Sequence, residues 1–255
     1  QAFVYNVPST ITVNHVNAPA SPNVPTYIQA IQDRLTQLNQ PGVTMQKFTN
    51  WNVVKYPNIT DNISNVINND LINTNTQPYS NDSSIPIRTS VISIHTDKIL
   101  PRNADWVVRF SIKLGHDGEA YSSNIAYPTA RQIGLFTGTV GNLINPDLYL
   151  FDISSNYNPF VLRMQSVTNK SFSDSNYAGS ILTGDKNSFI NVVILKVGDS
   201  ILVQSNYGTS TLSEIYSASN YPAGDFGFCV MARKPAVGTN NVTGVVSNVS
   251  YYIFP

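Results

Sequence analysis

The strongest constraint in this chain is a two-residue alternation that repeats from about Ile85 to the C-terminus. Trp106, Val108, Phe110, Ile112 and Leu114 alternate with Val107, Arg109, Ser111 and Lys113, the pattern of an antiparallel strand with one face buried. The run Phe189 to Val197 (FINVVILKV) is followed by Gly198-Asp199 and then by Ser200 to Ser205. Two apolar runs around Gly-Asp predict a hairpin. Further strands are expected near 91–95, 131–137, 147–153 and 159–166, and the last two at 225–232 (DFGFCVMA) and 246–254 (VSNVSYYIF). About nine strands at this spacing, with no helix between them, argue for a mainly β chain folded as an antiparallel β-sandwich or jelly roll.

The first 85 residues read differently, as an arm with a helical extension. Residues 1–24 carry Pro8, Pro19 and Pro22 and read as extended chain, with Thr10 to Val16 alternating like a strand. In VPTYIQAIQDRLTQLNQPG, residues Val24, Ile28, Ile31, Leu35 and Leu38 fall at spacings of 4, 3, 4 and 3, and Pro41-Gly42 stops the helix. Two heptads fit either a small coiled-coil seam or an amphipathic helix lying on its own domain. A second short helix is expected from Asp61 to Leu71, with Ile63, Val66, Ile67 and Leu71 as its buried stripe. Residues 73–84 (NTNTQPYSNDSS) have loop composition. The expected division is an N-terminal extension, 1–85, and a sandwich domain, 86–255.

Composition limits the function classes. Lys plus Arg and Asp plus Glu number 15 each, and charged residues are only 12% of the chain. With no basic surplus to neutralise phosphates, a nucleic-acid partner is not expected. The polar surface rests on 30 Asn, 27 Ser and 20 Thr, against two Glu, Glu119 and Glu214. Neutral polar cover of this kind suits an extracellular, cell-surface or virion-surface protein. The single Cys229 excludes an intrachain disulfide and, inside an apolar strand, reads as a core residue. No apolar run approaches the length of a transmembrane segment. No signal peptide is visible, and a chain opening on Gln1 fits a processed product. The six sequons, at Asn58, Asn62, Asn81, Asn169, Asn241 and Asn248, are about what 30 Asn give by chance among so many Ser and Thr.

The stretches DLYLFDISSNYNPFVLRM (147–164), NSFINVVILKVGDSILVQSNYG (187–208), YPAGDFGFCV (221–230) and VSNVSYYIF (246–254) resemble the concanavalin-A-like jelly rolls of the lectin/glucanase and laminin-G-like kind. The resemblance spans about residues 86–255 and implies an antiparallel jelly-roll β-sandwich. In those families a strand pair turns through Gly-Asp and ends near Asn-Gly, here Asn206-Tyr207-Gly208, before a Gly-x-Phe-Gly-Phe strand. Relatives include sugar binders, hydrolases and inert plates, so function has to be read from residues.

The hydrolases of the family carry an acidic Glu-x-Asp-x-Glu-like strand, since glycosidic cleavage takes paired carboxylates. This chain has none: Glu119 (GHDGEAYSS) and Glu214 (TLSEIY) both read as loop residues. The segment FDISSNYNP (151–159) resembles the metal-binding segment of legume-type lectins, in which an Asp and an Asn four residues later ligate calcium; Asp152 and Asn156 have that separation. It departs from that pattern at Leu150, where an acidic residue is expected, and calcium takes six to eight oxygens. The expectation is therefore no cofactor, with calcium the one ion left open. His15, His95 and His116 lack partners at zinc spacing, and GSILTGDK (179–186) misses the phosphate-loop pattern.

A pyranose ring has an apolar face and a polar rim, so aromatic platforms beside Asn and Asp suit it. Tyr149, Asp152, Asn156, Tyr157, Asn158 and Tyr207 are the candidate ligand-binding residues. The reading is a non-enzymatic carbohydrate-binding or adhesion protein, whose partner is a glycan or glycosylated surface. The alternative is a structural subunit of a virion, fibre or surface filament. It would oligomerise through residues 1–45, with Thr10–Val16 adding to a neighbour's sheet edge.

Overall fold

The computed structural model describes residues 3–8, 12–13, 24–56, 63–68, 71–76, 89–113, 130–137, 149–154, 160–167, 180–184, 189–207, 210–235 and 242–255. The first elements are β1 (Thr12–Val13), α1 (Val24–Leu38), β2 (Gln46–Lys47), β3 (Trp51–Tyr56), β4 (Ile63–Asn68) and β5 (Leu71–Thr76). Next come β6 (Thr89–Thr96), β7 (Trp106–Lys113), β8 (Ala130–Phe136), β9 (Tyr149–Ser154), β10 (Phe160–Val167) and β11 (Ser180–Gly184). The last are β12 (Phe189–Val197), β13 (Ser200–Tyr207), β14 (Ser210–Ser217), β15 (Gly227–Pro235) and β16 (Val242–Ile253).

The strands form two sheets. A nine-stranded sheet runs β1-β14-β13-β12-β7-β16-β5-β4, with β2 also on β16, and a seven-stranded sheet runs β11-β10-β9-β8-β15-β6-β3. All pairings are antiparallel except β1 on β14. Strand β6 lies beside β15 in one sheet and β7 beside β16 in the other. The chain therefore crosses between sheets as a strand pair, which is jelly-roll winding.

The alternation in β7 explains the layering. Trp106, Val108, Phe110 and Ile112 enter the core between the sheets, where they meet Ile94, Ile133, Leu135, Phe228 and Val230. The intervening Val107 joins a second core with Val193, Leu195, Leu202 and Ile215 on the outer face of the nine-stranded sheet. Helix α1 closes that second core with Ile31, Leu35 and Leu38, which are 0%, 0% and 5% exposed. Of the two fits for the heptad-like spacing, the helix thus adopts the second: it lies on its own sheet. The same arrangement accounts for the unbroken apolar run of β12, whose residues Val192 to Leu195 are all buried. A strand covered on both faces loses its polar alternation. The β12–β13 hairpin turns at Gly198, whose φ is +58° while Asp199 stays at negative φ, the II′ arrangement with Gly at the first central position.

Two expectations are corrected. The helix expected over 61–71 gives way to strand at its described residues: β4 and β5 pair in register from Ile63↔Thr76 to Asn68↔Leu71. Asn is a poor helix former, and the β-branched Ile and Val are better accommodated in strands, so the apolar spacing alone misleads. Glu214 lies in strand β14 opposite Val203, not in a loop. Strand β3 pairs with β6 and β5 pairs with β16, so strands β2 to β5 add to the two sheets.

Candidate functional site

The outer face of the nine-stranded sheet is graded by register. Under α1 the cross-strand row is apolar: Ile215, Leu202, Leu195, Val107 and Tyr252. Two residues along each strand, and so on the same face, the row reads Ser213, Gln204, Val193, Arg109 and Ser250. The third row is wholly neutral and polar: Thr211, Asn206, Asn191, Ser111 and Ser247. Its members bond to one another, Ser111 Oγ donating to Asn191 Oδ1 at 2.7 Å and Thr211 Oγ1 to Asn206 Oδ1 at 2.8 Å.

The N-terminal arm borders this polar field. The Tyr5 backbone N–H donates to Asn39 Oδ1 and Asn39 Nδ2 donates to the Tyr5 carbonyl, both at 2.8 Å, tying the arm to the end of α1. Asn6 Nδ2 donates to Asn206 Oδ1 at 3.0 Å and to Thr211 Oγ1 at 3.1 Å. Beneath the arm Gln204, fully buried, donates to Ser213 Oγ at 3.2 Å, while its Oε1 has no partner. Burial pushes the Tyr5 phenol up, with the charge and hydrogen bond of Arg109 pulling the other way. Arg109 Nη1 donates to Tyr5 Oη at 3.1 Å, and its guanidinium lies 4.6 Å from the Phe3 ring centre.

Between arm, β2 and sheet lies a groove of about 380 Å³, bordered by Phe3, Lys47, Arg109, Ser111, Asn191 and Asn248. Its far wall is a bulge in β16, where register with β7 shifts between Ser247 and Ser250. Asn248 adopts φ +56° there, a left-handed conformation Asn tolerates better than most residues. Bulges re-aim strands and collect at functional edges.

A second cavity, also about 380 Å³, lies at the opposite end of the sheet against Arg102, Asp105, Lys196 and Asp199. Its charges are engaged in holding the fold. Arg34 pairs with Asp105 at 2.8 Å, and the buried Lys196 donates from Nζ to the Ala104 carbonyl at 3.0 Å. Ser217 Oγ donates to Asp199 Oδ2 at 2.7 Å. Arg102 donates to the carbonyls of Gly224, Ala218 and Pro222 and stacks over Phe226. Burial lowers the Lys196 pKa, opposed by the nearby Asp105 charge. We assign this cavity to structure.

Of the residues expected from sequence, the described ones, Tyr149, Asp152 and Tyr207, do not line this groove. Tyr149 and Asp152 stand in β9 of the seven-stranded sheet, Asp152 in register with Arg163 and Gln132. Tyr207 ends β13 in the other sheet, opposite Ser210. Asn156, Tyr157 and Asn158 lie outside the described residues, as do Glu119, His15 and His116. Among the described residues no three His, Cys, Asp or Glu side chains cluster as metal ligands. His95 packs edge-on against Phe136 at 5.4 Å. Burial pushes the Cys229 thiol up to about 12, as suits an inert core residue.

No family model and no curated protein sequence matches the chain. Among solved structures, the exoplasmic/lumenal domain of VIP36 in its Ca2+/Man-bound form is similar with a TM-score of 0.48 and 10% identity, over 80% of this chain and 83% of that one. Family 7 alginate lyase A1-II′, as a variant in complex with product, is similar with a TM-score of 0.44 and 10% identity, over 77% and 85% of the two chains.

Proposed function

We propose that this chain is a non-enzymatic carbohydrate-binding module that holds a glycan in the groove on the outer face of its nine-stranded sheet. One observation carries this reading. A row of neutral side chains, hydrogen-bonded as the pairs Thr211–Asn206 and Ser111–Asn191, runs into a groove walled by the Phe3 ring. Amides and hydroxyls suit the polar rim of a sugar, and an aromatic ring suits its apolar face. The described lining residues include no carboxylate or imidazole, so they favour holding a glycan over cleaving it. The charge-poor surface supports an adhesive role at an extracellular, cell or virion surface.

In the alternative, a structural subunit of a virion, fibre or filament, the arm would add to a neighbouring sheet. Here the arm and β1 are accommodated on their own sheet, Thr12 and Val13 in register with Glu214 and Ile215. That favours the binding module.

The test is a broad glycan array probed with the intact chain, followed by calorimetry on the best hit. Asn191→Ala and Phe3→Ala should each weaken binding about tenfold, equivalent to about 1.4 kcal/mol. Tyr149→Ala and Tyr157→Ala should leave it unchanged; the opposite result would move the site to the Tyr149–Asn158 segment. A blank array would end the reading.

A further inference from the structure

The described cations are not all engaged in the same way. Arg34 is neutralised by Asp105 at 2.8 Å. Arg102 and Lys196 are taken up by backbone carbonyls. Arg109 is different. It projects from β7 into the groove wall, and the partners described for it are neutral: the Tyr5 hydroxyl at 3.1 Å and the rings of Phe3 and Tyr5, 4.6 and 5.7 Å from its guanidinium carbon. A guanidinium has five donors, and the bond to Tyr5 uses one. The two rings fix its plane, so little freedom is lost when it binds a second group. Lys47 lines the same groove, and the described lining includes no acid. In a chain with 15 positive and 15 negative residues, a guanidinium whose described partners are all neutral makes its side of the groove locally positive.

We propose that the groove selects glycans bearing an anionic group, a carboxylate or a sulfate, and that Arg109 is the residue that binds that group. This rests on the carbohydrate-binding reading and narrows its ligand class. The planar fork of Arg109 matches two oxygens of one carboxylate or sulfate. The Ser111–Asn191 pair beside it would hold the neighbouring hydroxyls, and Phe3 would cover the ring.

The experiment is calorimetry on the intact chain with paired probes. Oligogalacturonate is compared with its methyl ester, and a heparan-sulfate oligosaccharide with its desulfated form. We expect at least one acidic probe to bind tenfold or more tighter than its neutralised partner, with affinity falling as salt rises. The preferred pair identifies the anion as carboxylate or sulfate. Arg109→Gln should abolish the ratio by weakening the acidic probe far more than its neutralised partner, and Arg109→Lys should retain part of it. Should Arg109→Gln fail to fold, as judged by thermal melting, the shrinking ratio in Arg109→Lys carries the test. Equal binding of acidic and neutralised probes would overturn the inference and leave the carbohydrate reading standing. A preference that survives substitution of Arg109 would overturn its assignment. Binding of no probe here and none on the array would remove both.

Discussion

Gly227 opens β15 where there is no room for a side chain: a Cβ there would lie 2.5 Å from Phe136 Cζ. Phe136 is itself buried, at 3% exposure, so the ring cannot swing into solvent without leaving the core. Gly227→Ala should therefore destabilise the fold by about 1–3 kcal/mol, the usual range for overpacking, seen as a lower denaturant midpoint with an unchanged slope. Tyr27 presents the opposite case, since its hydroxyl is buried with no hydrogen-bond partner. Tyr27→Phe removes an unsatisfied group and should stabilise the protein by about 1 kcal/mol near neutral pH. Burial, reinforced by the charge of Asp199, pushes the Tyr27 phenol from 10.0 up to about 12. The folded state then keeps a proton that the unfolded chain releases above pH 10.0. Stability is thus intact below that pH and declines as pH rises toward about 12. The melting-temperature gap between Tyr27→Phe and wild type should widen between about pH 8 and about pH 11; a constant gap would mean the phenol does not titrate differently on folding.

Among the elements, α1 and the arm control access to the groove. Asn39 holds the arm through two backbone bonds to Tyr5, one in each direction. Asn39→Ala should release the wall that carries Phe3 and weaken glycan binding several-fold, with a smaller effect on melting temperature; amide exchange at Tyr5 would report the release directly. The strands flanking the groove were legible in sequence because period-2 alternation and a Gly-Asp turn leave few other ways to fold 189–207. The 3-and-4 spacing likewise announced α1. Its destination was harder to see, though the sign was present: FINVVILKV drops the polar alternation that β7 keeps, as a doubly covered strand must. The 63–76 hairpin was missed because Ile63, Val66, Ile67 and Leu71 fit a helical stripe as well as two short strands. The groove had no local motif at all. Phe3, Lys47, Arg109, Asn191 and Asn248 come from five segments that only the jelly-roll winding brings together. The available signal was a polar or charged residue at the outward position of otherwise apolar strands, as with Arg109 and Ser111 in WVVRFSIK and Asn191 in FINVVILKV.

For the molecule as a whole, the question is whether residues 1–45 form an assembly device or part of the fold. An assembly device could be removed while leaving a folded sandwich behind. The packing argues otherwise. Ile31, Leu35 and Leu38 are buried against Val107, Val193, Leu195, Leu202 and Ile215. Burial of each large aliphatic side chain contributes about 1.5–3 kcal/mol, so the three together supply roughly 5–9 kcal/mol. A domain's entire net stability is about 5–15 kcal/mol, so the truncated chain would lose much of its margin. It would also expose a continuous apolar sheet face, which drives aggregation. Leu35→Ala, a milder form of the same lesion, should cost about 2–5 kcal/mol. Deletion of residues 1–45 should yield insoluble or heterogeneous protein, whereas the intact chain should scatter light as a 28.0 kDa monomer across a tenfold range of concentration. A truncated chain that stayed folded and monodisperse while the intact chain formed trimers or polymers would reverse the assignment. The arm would then belong between copies, and the groove it walls would be completed at a subunit boundary.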